Sequence, residues 1–162
     1  MGEAHPVLTT FYENWQRYQE EIRDALRHLT MGQLAMRPAP HLRPLGNVAA
    51  HINAARSYWF HGFLGEGGPE FDEITRSDDD EAPEPEAGRL VEAMDATWAL
   101  IAASIAGWSE ADLRQGFPRR YRGKEIELSR AWVIWHVLEH DLHHGGEVSL
   151  MLGMSGLRAP DI

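Results

Sequence analysis

The sequence has no cysteine among its 162 residues. That excludes disulfides, thiolate metal ligands, iron–sulfur clusters and a cysteine nucleophile. It also has no run of about 18 consecutive apolar residues, the length a membrane-spanning helix needs, so no membrane partner is expected. Met1 to Pro6 show no basic stretch followed by an apolar one, as a signal peptide would, and a cytoplasmic location is the expectation. Positive charge is scarce as well. Lys and Arg number 15 against 25 Asp and Glu, a net charge of −10, which disfavours nucleic acid and anionic lipid as partners. The nearest thing to a basic patch is Arg119, Arg120, Arg122 and Lys124, which reads as a solvated turn.

What is present is helical periodicity. Val7, Phe11, Trp15, Tyr18, Ile22, Ala25, Leu26 and Leu29 recur at helical spacing and predict a helix from Pro6 to Leu29, with Gly32 just past its end. Three prolines between Met36 and Pro44 exclude a long helix there. A second helix is predicted from Leu45 to about Leu64, and a third from Gly88 to Ala106. Ser109 reads as an N-cap of a short turn. Phe117 to Leu128 reads as an extended excursion, a small hairpin around Arg122-Gly123-Lys124. The fourth helix starts after the cap Ser129 and runs to about Leu152, where Gly153 and Gly156 mark its end. Between helices two and three, Gly65 to Ala87 is rich in Gly, Pro and acid, and reads as a mobile, solvated loop. Its block Asp78-Asp79-Asp80-Glu81 does not match the spacing of a calcium loop. A hydrophobic fraction of 43% and four helices of about 20 residues predict one all-α domain over residues 1–162, a four-helix bundle with long interhelix loops. Those loops leave up-down-up-down topology unforced, and they are long enough to carry crossovers or cover a site.

The chemistry is concentrated in histidine. There are nine in all, and His136, His140, His143 and His144 fall within nine residues of helix four. Residues four apart share a helix face, so His136, His140 and His144 form one column while His143 points elsewhere. Two imidazoles at that spacing can chelate one metal, and a third ligand from a facing helix leaves a fourth position open. His51, mid-helix beside Val48, Ile52 and Ala55, is the natural third candidate. Spacing does not choose between the pair His136/His140 and the pair His140/His144. Histidines such as His28 and His61 read as surface or packing residues. The segment His136-Val137-Leu138-Glu139-His140 also fits the H-x-x-E-H zinc signature of inverzincin proteases, but too little chain follows for their distant glutamate ligand and large domain.

Leu45-Gly46-Asn47-Val48-Ala49-Ala50-His51, followed by Ala55-Arg56 and Trp59, resembles the second helix of the DinB-like superfamily. His136-Val137-Leu138-Glu139-His140-Asp141-Leu142-His143-His144-Gly145-Gly146-Glu147-Val148 resembles its last bundle helix, usually H-x-x-x-H-x-x-x-H-R-G-Q-I with a glycine turn after the histidines. Gly145 stands in place of the usual Arg and Glu147 in place of the usual Gln. The resemblance implies that His51, His140 and His144 bind one divalent metal ion, zinc or nickel by preference, with His136 in a supporting role. It implies a transferase that activates a low-molecular-weight thiol such as bacillithiol, mycothiol or glutathione, related to mycothiol-dependent maleylpyruvate isomerase. It also implies a homodimer.

A cysteine-free chain suits a transferase that borrows its thiol and directs it at an electrophilic small-molecule substrate. A metal-dependent hydrolase and a non-enzymatic metal or small-ligand binding protein are the alternatives. One of Glu139, Asp141 and Glu147 can orient a ligand imidazole through its free N–H, although Glu139 and Asp141 read first as solvated helix charges. Trp59, Phe60 and Trp135 can line an apolar pocket, but aromatics at helical spacing read first as core.

Overall fold

The computed structural model describes residues 6–79, 82 and 84–161. In chain order the elements are α1 (Pro6–Leu26), α2 (Met31–Leu34), α3 (Leu45–Ser57) continued by a π-helical turn (Tyr58–Phe63), α4 (Phe71–Thr75) running into a 3₁₀ turn (Arg76–Asp78), α5 (Ala87–Gly107), α6 (Glu110–Arg114), strands β1 (Gly116–Tyr121) and β2 (Lys124–Ser129), and α7 (Arg130–Met154).

Three of the four long helices carry an apolar stripe at helical spacing, while α3 is buried on most of its circumference. On α1 the stripe is Trp15, Tyr18, Ile22 and Leu26; on α5 it is Leu90, Met94, Trp98 and Ile101; on α7 it is Val133, Val137, Val148 and Leu152, all buried. Ile22 and Leu26 are fully enclosed, and burial of such a side chain contributes about 1.5–3 kcal/mol. The predicted caps are real: Ser109 and Ser129 accept backbone N–H bonds from Asp112 and Trp132.

Packing partners set the order around the bundle as α1–α5–α3–α7 and back to α1. Trp15 meets Asp141 and Tyr18 meets Leu142, so α1 and α7 run in the same direction. His51 meets His144 and Trp59 meets Trp132, so α3 and α7 are antiparallel. Arg23 bonds Asp95 while Tyr12 stacks on Trp98, so α1 and α5 are antiparallel too. The chain therefore runs up, down, down, up, and the α3–α5 connection must cross the length of the bundle. By length and composition α5 is apolar enough to cross a membrane, but its stripe is spent on the core.

Two expectations are corrected. The segment from Gly65 to Ala87 is not simply a solvated loop. Phe71 is buried, Ser57 Oγ donates to the Phe71 carbonyl at 2.8 Å, and His61 bonds both the Glu66 carbonyl and Asp72; Asp80 and Glu81 lie outside the described residues. The glycine turn expected after His144 is also absent, because α7 runs straight through Gly145 and Gly146. The excursion before α7 is an antiparallel hairpin closed by Tyr121 opposite Lys124. Its two turn residues, Arg122 and Gly123, have φ of 49° and 79°, the pair of positive values that a type I′ turn demands.

Candidate metal centre

The facing helices α3 and α7 bring His51, His140 and His144 together. Ring centroids lie 4.7 Å apart for His51–His140, 4.7 Å for His51–His144 and 4.4 Å for His140–His144. One nitrogen from each ring falls within 4.8 Å of the others, so the group can hold a metal ion. His51 Nε2 and His140 Nε2 are 3.1 Å apart, close to the roughly 3.3 Å between two nitrogens on a tetrahedral zinc with bonds of about 2.0 Å.

Carboxylates fix two of the three rings. His51 Nδ1 lies 2.6 Å from Asp78 Oδ2, and His144 Nδ1 lies 2.7 Å from Glu147 Oε2. A nitrogen facing a carboxylate carries the proton, so in both rings Nε2 is the nitrogen left to bind a metal, and that of His51 faces His140 Nε2. This carboxylate–imidazole arrangement is the usual support of a metal-binding histidine. His140 Nδ1 has no partner. Burial first, and then the neighbouring His144 and His51, hold the His140 pKa down to about 3; burial also lowers that of His144, against the opposing pull of Glu147. Neutral imidazole is the form that binds a metal, so the three histidines could hold a divalent metal ion.

His136 does not join the three. Its ring stacks on Trp132 at 4.8 Å, meets Trp59 edge-on at 4.8 Å, and stands 6.4 Å from His140. Its pKa is lowered, chiefly by burial. A second group, His143, His144 and Glu147, also has its ligand atoms close together. It shares His144 with the first, and His143 is largely exposed, so it is the poorer cage.

Several residues differ from their sequence reading. Asp141 is no solvated charge: it is fully buried and accepts from Arg56 Nε at 3.0 Å, from Arg56 Nη2 at 2.8 Å and from Trp15 Nε1 at 2.7 Å. It occupies the apolar stripe of α7, four residues beyond Val137, just as Arg56 falls four beyond Ile52 on α3. Opposite charges on two facing buried stripes were the available signal for this pair. Asp78 was read only as one of an acidic block. Glu139 is exposed beside His136, as expected. Of the aromatics, Phe60 is core, Trp59 is buried against Trp132 and His136, and Trp135 is exposed, so Trp135 is neither core nor pocket wall. Gly145 has a physical reason. A Cβ there would collide with the Tyr18 hydroxyl and come within 2.6 Å of Ile22 Cδ1, so a larger residue at that position would force both side chains to move. A cavity of about 540 Å³ opens elsewhere, beside Asn53, Arg76 and Arg89, and none of the three histidines lines it.

The family model described as the DinB superfamily matches residues 14–148. Among solved structures, the fold is similar to a DinB-like protein from Bacillus cereus, with a TM-score of 0.71, 22% identity and coverage of 94% of this chain and 95% of that one. It is similar to a DinB-like protein from Bacillus subtilis, with a TM-score of 0.67, 12% identity and coverage of 91% and 93%. It is also similar to a conserved protein from Enterococcus faecalis, with a TM-score of 0.69, 15% identity and coverage of 91% and 96%. No curated protein matches significantly in sequence.

Proposed function

Because this chain belongs to the DinB superfamily, we propose that His51, His140 and His144 bind one divalent ion, zinc or nickel, and that the protein is a transferase joining a low-molecular-weight thiol to an electrophilic small molecule. The observation that carries the reading is the convergence of three imidazoles, two of them braced at Nδ1 by Asp78 and Glu147. A divalent cation held by neutral ligands supplies Lewis acidity, which favours the thiolate form of a thiol placed beside it.

The chain's residues do the rest. Asp78 and Glu147 hold the protons of His51 and His144 on Nδ1, which fixes the tautomer and leaves both Nε2 lone pairs for the metal. The pair Arg56–Asp141 pins α3 against α7 within one residue of His140, which fixes the spacing of the rings. The chain has no thiol of its own, so the nucleophile must arrive on a separate molecule.

Metal analysis of gently purified protein, followed by conjugation assays with several small thiols and chlorodinitrobenzene, tests the proposal. His51→Ala, His140→Ala and His144→Ala should each lose most bound metal, whereas His28→Ala, His136→Ala and His143→Ala should keep it. If His136→Ala strips the metal and His144→Ala retains it, the ligand set is wrong by one helical turn. Protein that takes up no metal from zinc, nickel, copper, iron or manganese ends the reading.

A further inference from the structure

Arg119, read from sequence as part of a solvated basic turn, is placed otherwise. It sits on β1, partly buried, with its guanidinium carbon 4.3 Å from the Trp59 ring centroid and 5.9 Å from that of Phe63. Among the described residues it has no ion pair and no side-chain hydrogen bond. Arg130 provides the contrast. It also lies against aromatic rings, Trp108 at 5.1 Å and Phe117 at 4.8 Å, but its charge is met by Glu66 and its N–H groups by Gln115. In a chain of net charge −10, an arginine held against aromatic faces and left without an anion is an open position for one.

The surroundings give that position a direction. From Arg119 the aromatic surface continues through Trp59 to Trp132, 5.4 Å apart, and to His136, 4.8 Å from each. His136 in turn is 6.4 Å from His140. One wall of rings thus joins an unpaired cation to the histidine cluster. Trp132 remains 38% exposed, so the wall is reachable from solvent. A planar guanidinium presents paired donors that match a carboxylate, and contact with Trp59 holds it in place without neutralising it.

We infer that Arg119 is the anion-binding position of this site: it takes the carboxylate of a small organic acid whose stem lies along Trp132 and His136, the partly exposed members of the wall, and whose other end reaches His140. The inference rests on the proposed reading of the site, and it names the substrate class as a carboxylated molecule. The carboxylate can belong to the thiol or to the electrophile.

Fluorescence of Trp59 and Trp132 reads the binding directly. Two acid and amide pairs are titrated into metal-free protein and into metal-loaded protein: 3-mercaptopropionate with 3-mercaptopropionamide, and benzoate with benzamide. For at least one pair, wild-type protein should prefer the acid by about tenfold or more, the size expected of a charge-assisted hydrogen bond. Arg119→Gln should abolish that preference with the circular dichroism spectrum unchanged, and Arg119→Lys should restore part of it. A preference confined to the mercapto pair assigns the carboxylate to the thiol; one shared with the benzoate pair assigns it to the electrophile. Equal binding of acid and amide, no saturable binding of any probe, or a preference that survives in Arg119→Gln overturns the inference. The metal-free titration keeps this outcome separate from the metal proposal, which fails by metal analysis alone.

Discussion

Replacing Arg56 by Met leaves the Asp141 carboxylate in a fully buried position with one donor, Trp15 Nε1, where it had the guanidinium as well. The Met side chain roughly fills the aliphatic volume, so the cost is chiefly electrostatic. An uncompensated buried charge of this kind costs about 3–5 kcal/mol. For a protein of this size each kcal/mol lowers Tm by about 2–4 °C, so Arg56→Met should melt about 6–20 °C below wild type, and its urea midpoint should fall in step. Asp141→Leu alone should cost a similar amount, because it strands the guanidinium. The double variant Arg56→Met/Asp141→Leu removes both charges. It should recover most of the loss and can exceed wild type, since apolar replacement of a buried pair is commonly neutral or favourable. Calorimetry with urea titration of the four proteins closes the cycle. If Arg56→Met costs less than about 1 kcal/mol, or if the double variant is as unstable as the sum of the singles, the pair is not the buried ion pair described above. Metal content adds a second reading, because a stable double variant that holds metal poorly would show that the pair serves ring spacing and not stability.

Other outcomes follow from the same geometry. Asp78→Asn and Glu147→Gln should each weaken metal binding by about 10–100-fold without unfolding the protein, as measured by competition with a chromogenic chelator. Metal-free protein should lose stability in acid. His140 titrates at about 3 when folded and near 6.5 when unfolded, so between those values the unfolded chain binds more protons and stability rises with pH. The urea midpoint should drop from pH 7 to pH 5, and less so in His140→Gln; an equal drop in both would refute the assignment. Gly145→Arg, which restores the common family residue, should lower Tm because Tyr18 and Ile22, both buried, must leave their packed positions. Arg122→Asn should leave the fold intact and raise Tm slightly, because Asn tolerates a φ of 49° better than Arg does.

The parts of the molecule that repeat were legible in the sequence. Stripes at helical spacing gave the four long helices with their ends close to the observed ones, and the serines before α6 and α7 announced their caps by chemistry that acts over three residues. Convergence of His51 with His140 and His144 was legible in part, since residues four apart share a face whatever the fold. What the sequence concealed depends on contacts distant along the chain. Asp78 looked like its acidic neighbours until the crossover was seen to lay it on His51. Asp141 looked like a solvated charge when taken singly, and only with Arg56 on the facing helix does it read as one half of a buried pair. Arg119 belonged by composition to an exposed turn, but the hairpin register turns it onto Trp59. The π-helical turn at Tyr58–Phe63, which extends α3 towards that ring wall, left no periodic trace in so few residues.

The carboxylate that touches His51 is carried by the crossover, while the one that touches His144 is carried by a bundle helix. Glu147 is an exposed residue of α7, one turn from the ring it braces. Asp78 lies at the end of a short turn packed on α3, outside the apolar stripes of the long helices, so its side chain can be exchanged without touching the core. The basicity of one imidazole is thereby separated from the architecture that positions it. A change at this one position would retune the electron richness of the cluster through His51 while leaving the four long helices as they are.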